Sequence, residues 1–359
     1  MAVKFYSKKS GWLGVLSALS MPLMAAINDS DWPSAGVVET ASAKNQFGGN
    51  LSDLFYQPSM STEPAILWAV QNSPSKLYNM VWSPAQNRFV NNTRNGWAEG
   101  KTLHYPDGTG APDAEGVTRA EASSSAMYVA SERDGRSEKN RFSVLRYDTQ
   151  GSAAALTATQ EWNLTPDLPF VPVANRGLEA IAWIPDSYLQ AQGFIDERTS
   201  QPYKASNYPA HGGGLFLVGL EATGQIFAYA LNSDGSYQRI ATISSGHPQM
   251  MALSFDRDKG ELWAYCDNHC GNKTHVLAID TVAGSATLGR FIIRAAYNRP
   301  ASMANINNEG IAMTPDTECV NHVKPFFWAD DDETAGVAIR RGTVSCGAAA
   351  VIAGAAAVP

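Results

Sequence analysis

The amino-acid sequence predicts an all-β protein, a β-propeller of five four-stranded blades closed by an N-terminal strand, and three observations lead there. First, an apolar strand opening with an acid and a small residue recurs as Leu51-Ser-Asp53-Leu-Phe, Ala114-Glu115-Gly116-Val-Thr, Leu178-Glu179-Ala180-Ile-Ala-Trp and Asn308-Glu309-Gly310-Ile-Ala-Met, with Met250-Met251-Ala252-Leu-Ser-Phe as a variant lacking the acid. Second, each opening is followed by another apolar run, and four of these end in a polar or acidic residue: Asn72, Glu132, Asp267 and Asp330. Third, the openings recur every ~55 to 75 residues, longer than a leucine-rich or ankyrin unit and suited to a four-stranded blade with long loops.

Taken in chain order, residues 1–26 have the layout of a secretory signal peptide, with Lys4, Lys8 and Lys9, an apolar stretch too short to span a bilayer, and Ala25 and Ala26 at the expected cleavage point. Residues 27–346 form the propeller. A lone strand around Val37 and Val38 precedes the first blade, expected at 53–56, 66–71, 76–82 and within 88–105. The second blade is expected at 115–119, 126–131, 142–147 and 156–163, with Gly, Asp or Asn between the runs. The third begins at Leu178, is interrupted by an insertion at 186–214, and resumes at 215–219, 225–231 and 237–243. The fourth covers 251–255, 261–266, 275–279 and 287–293. The fifth supplies only 309–313, 325–329 and 336–344, so the spare N-terminal strand completes it and removes an open edge. A sixth blade stays open as an alternative if 163–177 or 186–214 holds one. Residues 347–359 are a low-complexity Ala/Gly tail.

Export implies an oxidising compartment, periplasmic or extracellular, where four cysteines are read first as disulfides. Pairing Cys266 with Cys270 and Cys319 with Cys346 keeps each bridge within one blade; a metal site using Cys266, Cys270 and His275 is the competing reading. A formal charge of -7, with 17% charged residues and no basic stripe, leaves no nucleic-acid footprint, and no segment of the mature chain is apolar enough for a membrane span. There is no Gly-x-Ser-x-Gly elbow, His-Glu-x-x-His, Walker loop or dinucleotide fingerprint.

In a propeller the first strand of each blade lines the central channel, so Asp53, Glu115, Glu179 and Glu309 converge, joined by Asp267 from a second strand. Carboxylates crowded there either rise in pKa or share a cation, and an oxygen-only ring favours Ca²⁺ over Mg²⁺ or Mn²⁺. The alternative is structural: each acid latches the backbone amides of a neighbouring blade. Arg133, beside Glu132 and Asp134, is a candidate for binding a substrate phosphate or carboxylate in fork geometry.

Glu115-Gly-Val-Thr with Met127-Tyr-Val-Ala-Ser-Glu132-Arg-Asp134, and Asn308-Glu309-Gly-Ile-Ala-Met with Phe327-Trp-Ala-Asp330-Asp331, resemble the phytase-like propeller family, described as having esterase-like activity of phytase. Leu51-Ser-Asp53-Leu with Ile66-Leu-Trp-Ala-Val looks like the related SdiA-regulated exported propellers. The resemblance implies an exported propeller whose Glu115, Glu132, Glu179, Asp267, Glu309 and Asp330 serve calcium binding or phosphoester cleavage. In the metal-assisted form, Glu132 or Asp330 takes the proton of the attacking water. The partner is then a small-molecule ester. Two other readings are a non-enzymatic binding propeller for a cell-envelope protein and a calcium-dependent lactonase.

Overall fold

The computed structural model describes residues 27–60, 63–121, 124–135, 139–172 and 175–347. The expected signal peptide and all but the first residue of the Ala/Gly tail lie outside them. Five antiparallel sheets form a five-bladed β-propeller. The inner strands are Leu51–Gln57, Pro112–Thr118, Leu178–Pro185, Ala252–Asp256 and Asn308–Met313, and each touches the next around a closed ring.

Alternation along the strands explains why they read as nearly unbroken apolar runs. In Ile66–Gln71, Ile66, Trp68 and Val70 pack toward the second blade, while Leu67 and Ala69 pack toward the fifth. Both faces of every sheet are therefore covered, and the core is divided among the seams: five apolar clusters, one at each of the five blade junctions.

The insertion is not a blade. It holds a short helix, Asp186–Ala191, and a two-stranded hairpin, and its Leu189, Phe194, Tyr203 and Tyr208 enter the seam between the third and fourth blades. The expected strand at 156–163 is two strands. Ala155–Thr157 runs parallel to Lys101–His104 on the outer edge of the first blade, and Gln160–Asn163 completes the second. The break falls where the Ala158 N–H donates to His104 O at 3.0 Å and the Thr159 N–H donates to Arg146 O at 2.7 Å, one bond into each blade.

Closure uses the N-terminal segment at two points. Glu39–Thr40 pairs antiparallel with Arg341 and Arg340 in the fifth blade, just beyond the expected Val37 and Val38. Asp29–Ser30 adds a parallel strand to the fourth blade along Ala296 and Tyr297. Between them Trp32, only 6% exposed, packs against Trp263, Phe326 and Trp328 and donates its Nε1–H to Thr343 O at 2.7 Å. One indole thus fills the seam where the ring is sewn shut. Trp32→Ala is expected to destabilise the protein by about 3–5 kcal/mol, the range for a large aromatic removed from a core, as measured by urea unfolding. A loss below about 1 kcal/mol contradicts this role for the N-terminal segment.

Candidate metal centre

Four inner strands carry a register shift near their start, between Leu51 and Asp53, Ala114 and Gly116, Leu178 and Ala180, and Asn308 and Gly310. The skipped residues are Ser52, Glu115, Glu179 and Glu309. In three blades the acid is thus the extra residue of a β-bulge, a device that re-aims a side chain out of the regular alternation. The first blade differs: Ser52 holds the bulge position and Asp53 stands where the other blades have Gly116, Ala180 and Gly310. Because side chains alternate, that single-residue offset sends Asp53 elsewhere.

Asp53 is fully buried, and its Oδ2 accepts the Val117 N–H of the second blade at 2.8 Å. Burial raises its pKa, while the N–H groups of Val117, Leu54 and Ile311 act against that shift. Asp53 is an inter-blade latch, the structural role weighed for the whole ring. The close approach it needs explains two glycines. A Cβ on Gly310 would sit 2.5 Å from Asp53 Cα, and one on Gly116 would sit 3.0 Å from Ala180 C and Ile181 N.

The remaining acids gather around Glu132. Carboxylate oxygens of Asp113, Glu115 and Glu132 all lie within 4.8 Å of one another, as do those of Glu132, Glu179 and Glu221. Glu132 belongs to both groups and is wholly buried. Its Oε1 accepts the Gly177 N–H at 2.6 Å, whereas its Oε2 has no hydrogen-bond partner among the described residues. Arg133 Nε pairs with Asp113 Oδ2 and stands 3.9 Å from Glu132 Oε2; Arg176 Nε stands 3.6 Å from Glu221 Oε1. Five carboxylates against two guanidinium groups leave three negative charges uncompensated if all ionise.

Protonation is one response, and the pKa of every acid in the cluster is shifted toward it. Burial, then the neighbouring Asp113 and Glu132, pushes Glu115 well up, with Asn72 and Ser52 opposing as donors. Burial, then Glu115, Glu132, Glu309 and Glu221, does the same to Glu179. Desolvation also raises Asp113 against Arg133 and Glu221 against Arg176. Glu132 is pushed up to about 7 by burial, with the Gly177 N–H opposing and Asp113 adding.

Glu309 sits at the far side of the same mouth. Its Oε1 accepts from Asn307 Nδ2 at 3.2 Å, and burial followed by Asp331, Glu115 and Asp267 raises its pKa. Asp267 is already engaged. Its Oδ1 accepts from Gln249 Nε2 at 3.0 Å and from the His269 N–H at 2.9 Å, and Oδ2 pairs with His269 Nδ1 at 2.9 Å. Asp330 is likewise occupied, with Oδ2 accepting from Thr334 N at 2.8 Å and from Arg340 Nη1 at 2.7 Å, and it belongs to neither carboxylate group. Glu333 accepts from the Phe47, Gly48 and Gly49 N–H groups and latches the fifth blade to the chain entering the first.

Two members of the cluster escaped the sequence reading. Asp113 is two residues before Glu115 on the same strand. Glu221 directly follows the second strand of the third blade, Gly214–Leu220, the place that Glu132 and Asp267 take in theirs, but the insertion had displaced that strand from the repeat. Cys266 with Cys270, and Cys319 with Cys346, lie at disulfide distance, each pair with Cα atoms 5.9 Å apart. His247, not His275, is the histidine beside the Cys266 and Cys270 sulfurs.

Beside the cluster, a cleft of about 350 Å³ opens between the first and second blades, lined by Asn72, Ser73, Thr102, His104, Asp113 and Arg133. It is polar and includes two residues of the charged site.

No family model matches the chain, and no curated protein matches it. Among solved structures, a chain from the crystal structure of the mitotic checkpoint complex is similar at 11% identity and a TM-score of 0.38, over 95% of this chain and 99% of that one. A functionally unknown protein from Desulfotomaculum acetoxidans DSM 771 is similar at 9% identity and a TM-score of 0.36, over 81% of this chain and 69% of that one.

The raised pKa values dictate a pH dependence. Glu132 binds its proton more tightly folded than unfolded, so the stability it contributes is full below about 4.5 and is lost as pH rises through about 7. His247 works the other way: burial, then His275, pushes it down to about 3, so its contribution is lost as pH falls below its ordinary range. Comparing wild type with Glu132→Gln cancels the histidine. In metal-free buffer, wild type should lose about 2 kcal/mol relative to the variant between pH 5 and pH 8 in urea unfolding. Parallel curves contradict the assignment.

Proposed function

We propose that this protein is an exported β-propeller that binds a divalent cation, Ca²⁺ first, through the carboxylates around Glu132 and hydrolyses a small phosphoester in the adjoining cleft. The observation that carries the cation reading is the unpartnered Glu132 Oε2, fully buried and shared by two carboxylate triads. A buried carboxylate oxygen without a donor is costly. The donors are all carboxylate oxygens, which suits a hard cation, and Ca²⁺ accepts six to eight such ligands in a flexible shell where Mg²⁺ keeps several waters.

Glu115, Glu132 and Glu179 would hold the ion, with Asp113 and Glu221 at the edges of the group. A bound cation polarises a phosphoryl oxygen and lowers the pKa of water. The chain's own residues do the rest. Arg133 lines the cleft beside its partner Asp113, and its guanidinium would offer donors in fork geometry to a phosphate bound there. Asn72, already donating to Glu115 Oε1 at 3.1 Å, holds that carboxylate in place between site and cleft. The engagement of Asp330 with Arg340 leaves Glu132 as the better proton acceptor of the two candidates. Two cysteine pairs at disulfide distance support an oxidising compartment, and among the described residues no helix is long and apolar enough to cross a membrane.

The test is thermal unfolding after chelation, with Ca²⁺ added back. A hundredfold excess over Kd should stabilise by about 2.7 kcal/mol and raise the midpoint by several degrees. Glu115→Gln and Glu179→Gln should lose most of that rise, whereas Asp53→Asn should keep it while starting from a lower midpoint. Hydrolysis is assayed separately on p-nitrophenyl phosphate, with a lactone as control. Ca²⁺-dependent turnover reduced at least tenfold in Arg133→Gln supports the phosphoester reading. No Ca²⁺ shift in wild type overturns the cation site, and lactone opening alone overturns the substrate.

A further inference from the structure

The channel has a second mouth, where two arginines border an apolar cavity and the nearby acids Asp256, Asp258 and Asp316 form a group of their own. The C-terminal ends of all five inner strands border a cavity of about 240 Å³, walled by Phe55, Trp183, Phe255 and Met313 and bordered by Arg119 and Arg257. Each wall residue comes from a different blade, so the cavity is as rigid as the ring itself.

The two arginines lack what arginines in such places normally have. Arg119 is only 8% exposed, its Nη2 donates to the Ser124 carbonyl, and its Nε has no hydrogen-bond partner among the described residues. Arg257, more exposed, donates Nη2–H to Arg119 O at 3.2 Å and Ala120 O at 2.7 Å, with its guanidinium 5.0 Å from the Trp183 ring centroid. Neither has a carboxylate within ion-pair distance among the described residues. Burial, then mutual repulsion from Arg257, lowers the pKa of Arg119. The acids of this mouth are otherwise committed. Asp256 is held by Lys324 Nζ at 2.6 Å, Asp316 by the same amine at 2.8 Å, and Asp258 Oδ2 accepts the Asp316 N–H at 2.6 Å. Glu121, on the surface, is the opposite charge that acts on Arg257. A buried guanidinium with an unused donor beside an apolar cavity is a half-made recognition site, since small-ligand pockets combine apolar walls with a few placed polar groups.

We propose that this mouth is a second binding site, for a small amphipathic carboxylate: an aromatic or short aliphatic body lies against Trp183, Phe255 and Met313, and its carboxylate pairs with the guanidinium groups of Arg119 and Arg257 that border the cavity. The cavity is below the roughly 300–1,000 Å³ of drug-sized pockets, so the body is one or two rings. The site is independent of the carboxylate cluster at the opposite mouth.

The test compares two probes of one shape by tryptophan fluorescence titration, 2-naphthoate and the neutral 2-naphthalenemethanol. Wild type should bind the carboxylate at least tenfold tighter. Arg119→Met should remove that preference while leaving the neutral probe within about twofold, and Ser254→Phe, which fills the cavity, should abolish binding of both. Glu132→Gln should change neither. Equal affinity for the two probes, or no saturable binding, overturns the proposal, as does unchanged naphthoate affinity in Arg119→Met. Should that variant fail to fold, the wild-type preference and the Ser254→Phe loss decide alone.

Discussion

The arrangement of this propeller turns on the cost of burying like charges close together. Three blades place a glutamate in a bulge at the start of the inner strand, and the second-strand ends bring Glu132 and Glu221 to the same place. Carboxylates that close cannot all be ionised in a poorly solvated site, so each must hold a proton, face a guanidinium or share a cation. Arg133 and Arg176 answer part of the charge at the edges, and Glu132 Oε2 at the centre accepts no hydrogen bond from any described residue, with Arg133 Nε 3.9 Å away.

That concentration is tolerable only on a stiff frame. Every sheet is covered on both faces, with five separate seams locking each blade to its neighbours. Latches act at the acidic mouth itself, Asp53 to Val117, Glu132 to Gly177 and Glu333 to the Phe47–Gly49 turn. The same residue type therefore does two jobs a few ångströms apart. Asp53 and Glu333 stand apart from the two carboxylate groups and only fasten, whereas Glu132 fastens through Oε1 and also belongs to both groups. At the opposite mouth Arg119 has an unused donor instead of an unused acceptor.

Repetition made the fold legible: the acid-small-apolar phrase located four inner strands and its acid-free variant at Met251 the fifth, and an unpaired N-terminal strand implied the closure found at Glu39–Thr40. Phase was harder to read. Asp53 matches Glu115 by eye, yet the bulge falls on Ser52, and only the pairing register shows that the aspartate is one residue out of step. Glu221 was hidden because the insertion at 186–214 separates its strand from the strand that opens the blade. The split of 155–163 between two blades depends on backbone bonds to His104 and Arg146 that no local pattern encodes. Likewise Asp330 and Asp267 occupy the expected strand ends, but their partners Arg340, Gln249 and His269 come from neighbouring loops and strands.

The central claim is that a cation replaces protons on the cluster around Glu132, and calorimetric titration of Ca²⁺ into the metal-free protein tests it most directly. Run at pH 6 in buffers of different ionisation enthalpy, the titration counts protons released per ion bound. The account predicts about one proton or more per Ca²⁺ at pH 6 and a smaller release in Glu132→Gln. Binding without proton release at pH 6, or no binding at all, would contradict it.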